Sequence, residues 1–202
     1  MTVEKARTIL EILNATPPKP RLSESAIVVV DAQREYVDGS LPLHGVAGAL
    51  QQLSELLERA RRLNVPIFHI VHHAPEGAPV FNPSGQFVQI ADPVRPRGEE
   101  PVIVKNLPSS FVNTNLKELL EQTNRQNLIV GGFMTHMCID ATARSAMDLG
   151  FAPTVIAAAC ATRDLPSPSG AVIPASTLHE SSLAALSDLI AGIVAKQSDL
   201  PD

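Results

Sequence analysis

Three side chains with complementary chemistry each follow an apolar run: an acid at Asp31, an ammonium at Lys105 and a thiol at Cys138. Asp31 closes Ala26-Ile27-Val28-Val29-Val30, and Lys105 closes Pro101-Val102-Ile103-Val104. Cys138 lies just beyond Asn127-Leu128-Ile129-Val130-Gly131-Gly132, where Phe133-Met134-Thr135-His136-Met137 leads into a helical stretch. A thiol attacks as its thiolate, and both an ammonium and a helix N-terminus favour that form. A nearby carboxylate can take the thiol proton and pass it to a leaving amine. Backbone N–H groups at a helix start can hold the oxyanion that develops, each worth about 3 kcal/mol of barrier. The chemistry available is acyl transfer. Taken singly, each residue has a plainer role: a turn-capping acid, a solvated edge cation, a small buried apolar side chain. Their coincidence after successive apolar runs favours the chemical reading.

That coincidence has meaning only if the runs are strands of one sheet. Ala26–Val30 is a continuous β-branched run, as in a strand covered on both faces. Val46–Asn64 carries Leu50, Leu53, Leu56, Leu57, Ala60 and Leu63 at helical spacing, and Val65–His72 returns as a strand. Pro101–Lys105 predicts the third strand. A helix follows over Asn115–Thr123, capped by Thr114 or Asn113. Asn127–Gly132 is the fourth strand, Met137–Leu149 a helix, Ala152–Ala159 the fifth strand, Pro174–Leu189 the last helix and Ile190–Ala195 a short sixth strand. Alternation of strand and helix predicts an α/β fold: a three-layer, doubly wound, mostly parallel sheet with Rossmann-type layering. Ligands bind such sheets outside the carboxyl ends of the strands, which is the rim shared by Asp31, Lys105 and Cys138. Ahead of this domain, residues 25–202, residues 1–24 read as an arm: an amphipathic helix over Thr2–Asn14 and a Pro-rich stretch. Ala74–Glu100 is rich in Pro and Gly without a period, and a loop that long is expected to wall the pocket or meet a partner.

Composition narrows the field. With 202 residues, 45% apolar and 18% charged, the chain can bury one substantial core. The net charge of −5, spread without blocks, excludes a basic nucleic-acid-binding stripe. Aromatics at 3% and the absence of Trp leave no stacking platform for bases. No apolar run approaches membrane-spanning length, and Met1–Pro20 lacks a signal-peptide core. Two cysteines make no disulfide framework, so free thiols and a cytoplasmic setting are expected. Gly131-Gly132 lacks the remaining spacing of a dinucleotide fingerprint. His136, Arg144 and Cys160 are read as structural or solvent-facing.

The motifs that carry these residues resemble the isochorismatase-like cysteine hydrolases. They are Ile27-Val28-Val29-Val30-Asp31-Ala32-Gln33, then Val104-Lys105 with Ser109-Ser110-Phe111, then Gly131 to Arg144 read as GGFMTHMCIDATAR. The resemblance implies an Asp31–Lys105–Cys138 triad and a cis peptide between Phe133 and Met134. It also implies an oxyanion hole from the backbone N–H groups of Met134 and Cys138, and a pocket lined by Gln33, Tyr36 and Phe133. It implies a small-molecule substrate, no obligatory cofactor, no metal and a homo-oligomer, dimer or tetramer. Two departures matter. The nicotinamidase branch carries a metal-binding Asp-x-His where this chain has His69-Ile70-Val71-His72-His73, which disfavours that activity. Arg34-Glu35-Tyr36 stands where Asn-Asp-Phe is common. The expected activity is hydrolysis of a small amide or related C–N bond through a thioester. The alternatives are isochorismatase-type vinyl-ether hydrolysis and a non-hydrolytic thiol redox or sensor role.

Overall fold

Ser25–Val30 is buried at every position, as only a strand covered on both faces can be, and it forms β1 near the middle of the sheet. The computed structural model describes residues 6–15, 17 and 20–202. In chain order the elements are α1 (Ile9–Ile12), β1, α2 (Val46–Arg62), β2 (Ile67–His72), β3 (Val102–Lys105), α3 (Leu116–Gln122) and β4 (Asn127–Phe133). They continue with α4 (Asp140–Asp148), β5 (Ala152–Ala161), β6 (Leu165–Pro166), β7 (Val172–Ile173), α5 (Ala175–Leu189) and β8 (Gly192–Val194). Six strands pair in the order β3-β2-β1-β4-β5-β8, every pair parallel. The chain winds outward from β1 to β3, then returns to lay β4 on the other side of β1. The reversal opens a crevice at the carboxyl ends of β1 and β4.

Alternation along the strands divides the core into two layers. Ile27, Val29, Ile129 and Ile156 face α2, whose Leu50, Leu53, Leu56, Leu57 and Ala60 form its buried stripe. Val28, Val30, Leu128, Val130 and Val155 face Leu116 and Leu120 of α3, Ala143 and Ala146 of α4, and Leu183 and Leu186 of α5. The three-layer architecture is the expected one, with a wholly parallel main sheet.

Three local expectations differ. The helix expected over Thr2–Asn14 appears as the single turn of α1, capped by Thr8; residues 2–5 of that stretch lie outside those described. Ile9, Ile12 and Leu13 are exposed, and one turn without a buried face gains little beyond local propensity. Between the fifth strand and the last helix, where no element is expected, the short antiparallel pair β6–β7 forms. The Met137–Leu149 helix begins earlier, with a π turn over Thr135–Ile139, before α4 proper.

The long loop between β2 and β3 is stitched down rather than loose. Arg34 and Glu35 donate their N–H groups to Gln89 and Phe87, Ala91 donates to Ala32, and Gln33 bridges to Ile90. Glu35 is buried and its carboxylate accepts from the N–H groups of Phe81 and Ser40. At the far end Glu100 accepts from Arg61 at 2.8 and 2.9 Å and pairs with His69 at 2.9 Å. Against burial, which works the other way, the hydrogen bonds from Arg61, the Arg97 N–H and His69 hold its carboxyl down to about 2. Among the described residues, no helix is long and apolar enough to cross a membrane.

Candidate active site

The crevice between β1 and β4 gathers the three side chains singled out by type. Asp31 follows β1 with φ at +49°, its N–H donating to Ile70 O at 2.9 Å. Lys105 ends β3 on the same inward face as Ile103, so strand alternation carries its stem under the rim. Cys138 sits in the π turn after β4. Lys105 Nζ lies 2.7 Å from Asp31 Oδ2 and 3.4 Å from Cys138 Sγ. All three residues are buried, at 0, 2 and 4% exposure for Asp31, Lys105 and Cys138, so neighbours rather than solvent set their charge states.

Burial dominates those states. It lifts the Asp31 carboxyl above the ordinary aspartate range, while the Lys105 charge, its hydrogen bond and the Cys138 thiol pull the other way. The Cys138 thiol is pushed up to about 12, first by burial and then by the Asp31 charge; Lys105 pulls it back only in part. The ready-made thiolate expected from an ammonium and a helix start is therefore not the resting form. Burial and a neighbouring carboxylate outweigh them. The resting form of Cys138 is the neutral thiol.

The Phe133–Met134 peptide bond is cis, and it joins the end of β4 to the π turn that carries Cys138. Thr135 Oγ1 ties that turn to Ala161 O at 3.2 Å and shares a 2.9 Å hydrogen bond with His179 Nδ1. His136 Nδ1 lies 2.6 Å from Thr162 Oγ1, so His136 serves the turn and not the thiol. Tyr36 and Phe133, both expected in the pocket wall, are buried and meet edge to face with centroids 5.8 Å apart. Tyr36 contacts Phe81 in the same way at 5.2 Å. Its phenol is held above its ordinary value by burial first, then by Asp31 and Cys138.

Gln33, also expected to line the pocket, is differently employed. Its amide nitrogen donates to His72 O at 3.0 Å and Val88 O at 2.6 Å, and its oxygen accepts from the His72 N–H at 2.8 Å. With both ends of the amide spent on backbone, Gln33 braces the site from behind. Arg144 pairs with Asp140 on the surface of α4, and Cys160 lies in the core with its thiol pushed up to about 12 by burial. Among the described residues, no three His, Cys, Asp or Glu side chains gather as a metal would require. His69 is instead taken up by Glu100.

Two residues near the site, Phe81 and Arg163, escape the reading by type, and a third, His72, is read there only as packing or pocket-lining, without its contact to Lys105. His72 Nδ1 lies 3.4 Å from Lys105 Nζ because β2 and β3 pair His72 with Lys105, a register no local pattern reveals. Phe81 comes from the long loop. Arg163 follows β5, which runs to Ala161, so placing the strand end at Ala159 hid the charge that follows it. The Arg163 Nε is buried without a partner among the described residues, and its charge acts on Tyr36 and His136. A cleft of about 620 Å³, lined by His72, His73, Lys105, Leu107 and Asn113 among others, reaches the Lys105 side of the cluster.

Fold and site together define a doubly wound α/β hydrolase. The isochorismatase-domain family model matches residues 25–195, and the chain belongs to the isochorismatase family. A crystallographic isochorismatase from Pseudomonas putida superposes with a TM-score of 0.91 and 35% identity, covering 97% of this chain and 100% of that one. The secreted isochorismatase effector of Verticillium dahliae is 33% identical over 186 residues, 92% of this chain and 95% of its own length. A maleamate amidohydrolase from Pseudomonas putida is 30% identical over 150 residues, 65% of this chain and 69% of its own.

Proposed function

We propose that the chain is a cysteine amidohydrolase that cleaves a small amide or related C–N bond through a thioester on Cys138. The observation that carries this reading is the position of Lys105 Nζ, within 2.7 Å of a buried carboxylate and 3.4 Å of a buried thiol. As Sγ attacks the carbonyl carbon, Asp31 takes its proton, and Lys105 steadies the negative charge that passes between them. The backbone N–H groups of Met134 and Cys138 serve as donors to the oxyanion. Collapse breaks the C–N bond, and Asp31 hands its proton to the departing nitrogen. Asp31 then deprotonates a water that attacks the thioester, and the C–S bond breaks with a proton returning to Sγ. A nucleophilic thiol works only while reduced, which suits a cytoplasmic setting.

We further infer a preference for acidic substrates from Arg163, which follows β5 and whose charge reaches Tyr36 and His136 beside the site. Arg163 pairs with no carboxylate among the described residues and keeps a buried, unpartnered Nε, so a substrate carboxylate supplies what the guanidinium lacks. The maleamate amidohydrolase among its relatives is named for a substrate of this kind. Intact-protein mass spectrometry after brief incubation with paired acidic and neutral primary amides tests the reading. A Cys138 acyl adduct and ammonia release are expected, strongest with the acidic member. Arg163→Met is expected to raise KM for acidic amides by about 10- to 100-fold, the worth of a hydrogen bond to a charged group, and to leave neutral ones within about threefold. Absence of any adduct across the panel overturns the thioester.

The charge states set the pH dependence. Asp31 must be ionised to accept the thiol proton, and burial raises its pKa. Activity is therefore lost as pH falls through a value above that of an ordinary aspartate, about 4. A kcat/KM profile from acid to neutral pH should show this raised acid limb. A limb at or below the ordinary value removes Asp31 as the base.

A further inference from the structure

A lysine ammonium has three N–H donors, and the head group of Lys105 sits where exposure is only 2%, so each donor needs a protein acceptor. Asp31 Oδ2 at 2.7 Å and Cys138 Sγ at 3.4 Å account for two. We infer that His72 is the third acceptor, a positioning residue which, gripped by Gln33, keeps the Lys105 ammonium aimed at Cys138. The inference rests on the reading of Cys138 as nucleophile only for its consequence in turnover; the geometry stands without it.

Three separate features place His72 for this work. The parallel register of β2 and β3 sets His72 beside Lys105, and Nδ1 comes within 3.4 Å of Nζ. Gln33 holds the His72 backbone at both its N–H and its carbonyl, a pairing that leaves the residue little freedom to shift along the strand. Phe81 meets the imidazole edge to face at 5.2 Å and fixes the ring plane. Because Nζ can only donate, Nδ1 accepts, and the ring proton of the neutral form belongs on Nε2. The ring stays neutral across the working range: burial first, then Lys105 and His73, bring its pKa down to about 4. Lysine has a flexible four-carbon stem. Without the third acceptor, Nζ is free to turn toward Asp31 alone and away from the sulfur it must activate. Gln33 thus acts at two removes, through His72 and Lys105, on the thiol.

The test reads the thiol directly and uses no substrate. Cys138 alkylation by iodoacetamide is followed across pH by intact-protein mass spectrometry, with site assignment to separate it from Cys160. His72→Leu is expected to slow alkylation about tenfold at a fixed pH, because the thiol loses part of the cation that lowers its pKa. His72→Asn, whose Oδ1 replaces Nδ1 as acceptor, is expected to recover most of the rate. In a Lys105→Met background the His72→Leu change should have no further effect, since its route to the thiol is gone. Equal rates for the Leu and Asn variants, or an undiminished His72 effect without Lys105, overturn the inference. If the Leu variant does not fold, His72→Gln moves the acceptor to the ε position and carries the same contrast: slow alkylation supports the role, the wild-type rate overturns it. Alkylation that depends on His72 in a chain that forms no acyl adduct would sink the amidohydrolase and leave this role standing.

Discussion

Cys138→Ala is expected to lower kcat/KM for amide hydrolysis by about 10⁵-fold, the scale on which a covalent nucleophile acts as a unit with its base. Among the described residues, the neighbouring thiol and hydroxyl are unsuited to replace it. Cys160 lies in the core with a thiol pushed up to about 12. The Thr135 hydroxyl is already shared between Ala161 O and His179. Cys138→Ser is expected to behave like the alanine variant. A hydroxyl is harder to ionise than a thiol, and the same burial and the same Asp31 charge that raise the Cys138 pKa would act on it. Stability should change little, about 1 kcal/mol, because the thiol is small and the substitution removes one atom from a packed site. A rate loss alongside a normal urea midpoint therefore belongs to the chemistry. Ammonia release and adduct formation are the measurements. Turnover of an enol ether such as isochorismate that survives in Cys138→Ala would move the assignment to vinyl-ether hydrolysis, which needs no thiol.

The parts of this site legible in the sequence are those announced by a charge directly after a buried run. Asp31 and Lys105 stand out because Ala26–Val30 and Val102–Val104 are apolar and each ends on an ionisable side chain. In a parallel sheet such endings fall on one rim, whatever the loops do. Cys138 was legible through its family motif more than through physics, since a lone buried thiol has a commoner fate in packing. Register was not legible. That His72 lands beside Lys105 depends on how β2 and β3 align, and a slip of one residue would turn the histidine to the other face. Nor was the resting charge state. An ammonium and a helix start argue for a thiolate when listed by type, yet burial of all three side chains reverses the sign once depth is known. Gln33 shows a third limit: position beside the motif suggested a pocket wall, and only its three hydrogen bonds reveal a brace.

The largest expected loss of stability comes from the smallest residue in the crevice wall. Gly132 pairs with Val30 across β1 and β4, immediately before the Phe133–Met134 bond and one residue along from the strand end that delivers Asp31. Its φ is +128°, a region that L side chains rarely occupy. A Cβ built there would lie 1.9 Å from Val30 O and 2.8 Å from Val30 C and N. Those atoms are backbone of a strand buried on both faces, so nothing nearby can swing aside. Gly132→Ala must either part β1 from β4 at the point where their ends form the site or abandon the backbone conformation there, and more than about 4 kcal/mol of destabilisation or outright failure to fold is expected. Gly150→Ala separates the two causes. Gly150 also has a positive φ, +87°, but a Cβ would meet nothing within 4 Å. That variant should lose only the conformational share, about 1 kcal/mol. Urea denaturation of both variants reads the difference. Similar small losses for the two would mean that β1 and β4 do not approach so closely, and the placement of Asp31 against the Cys138 turn would fall with that approach.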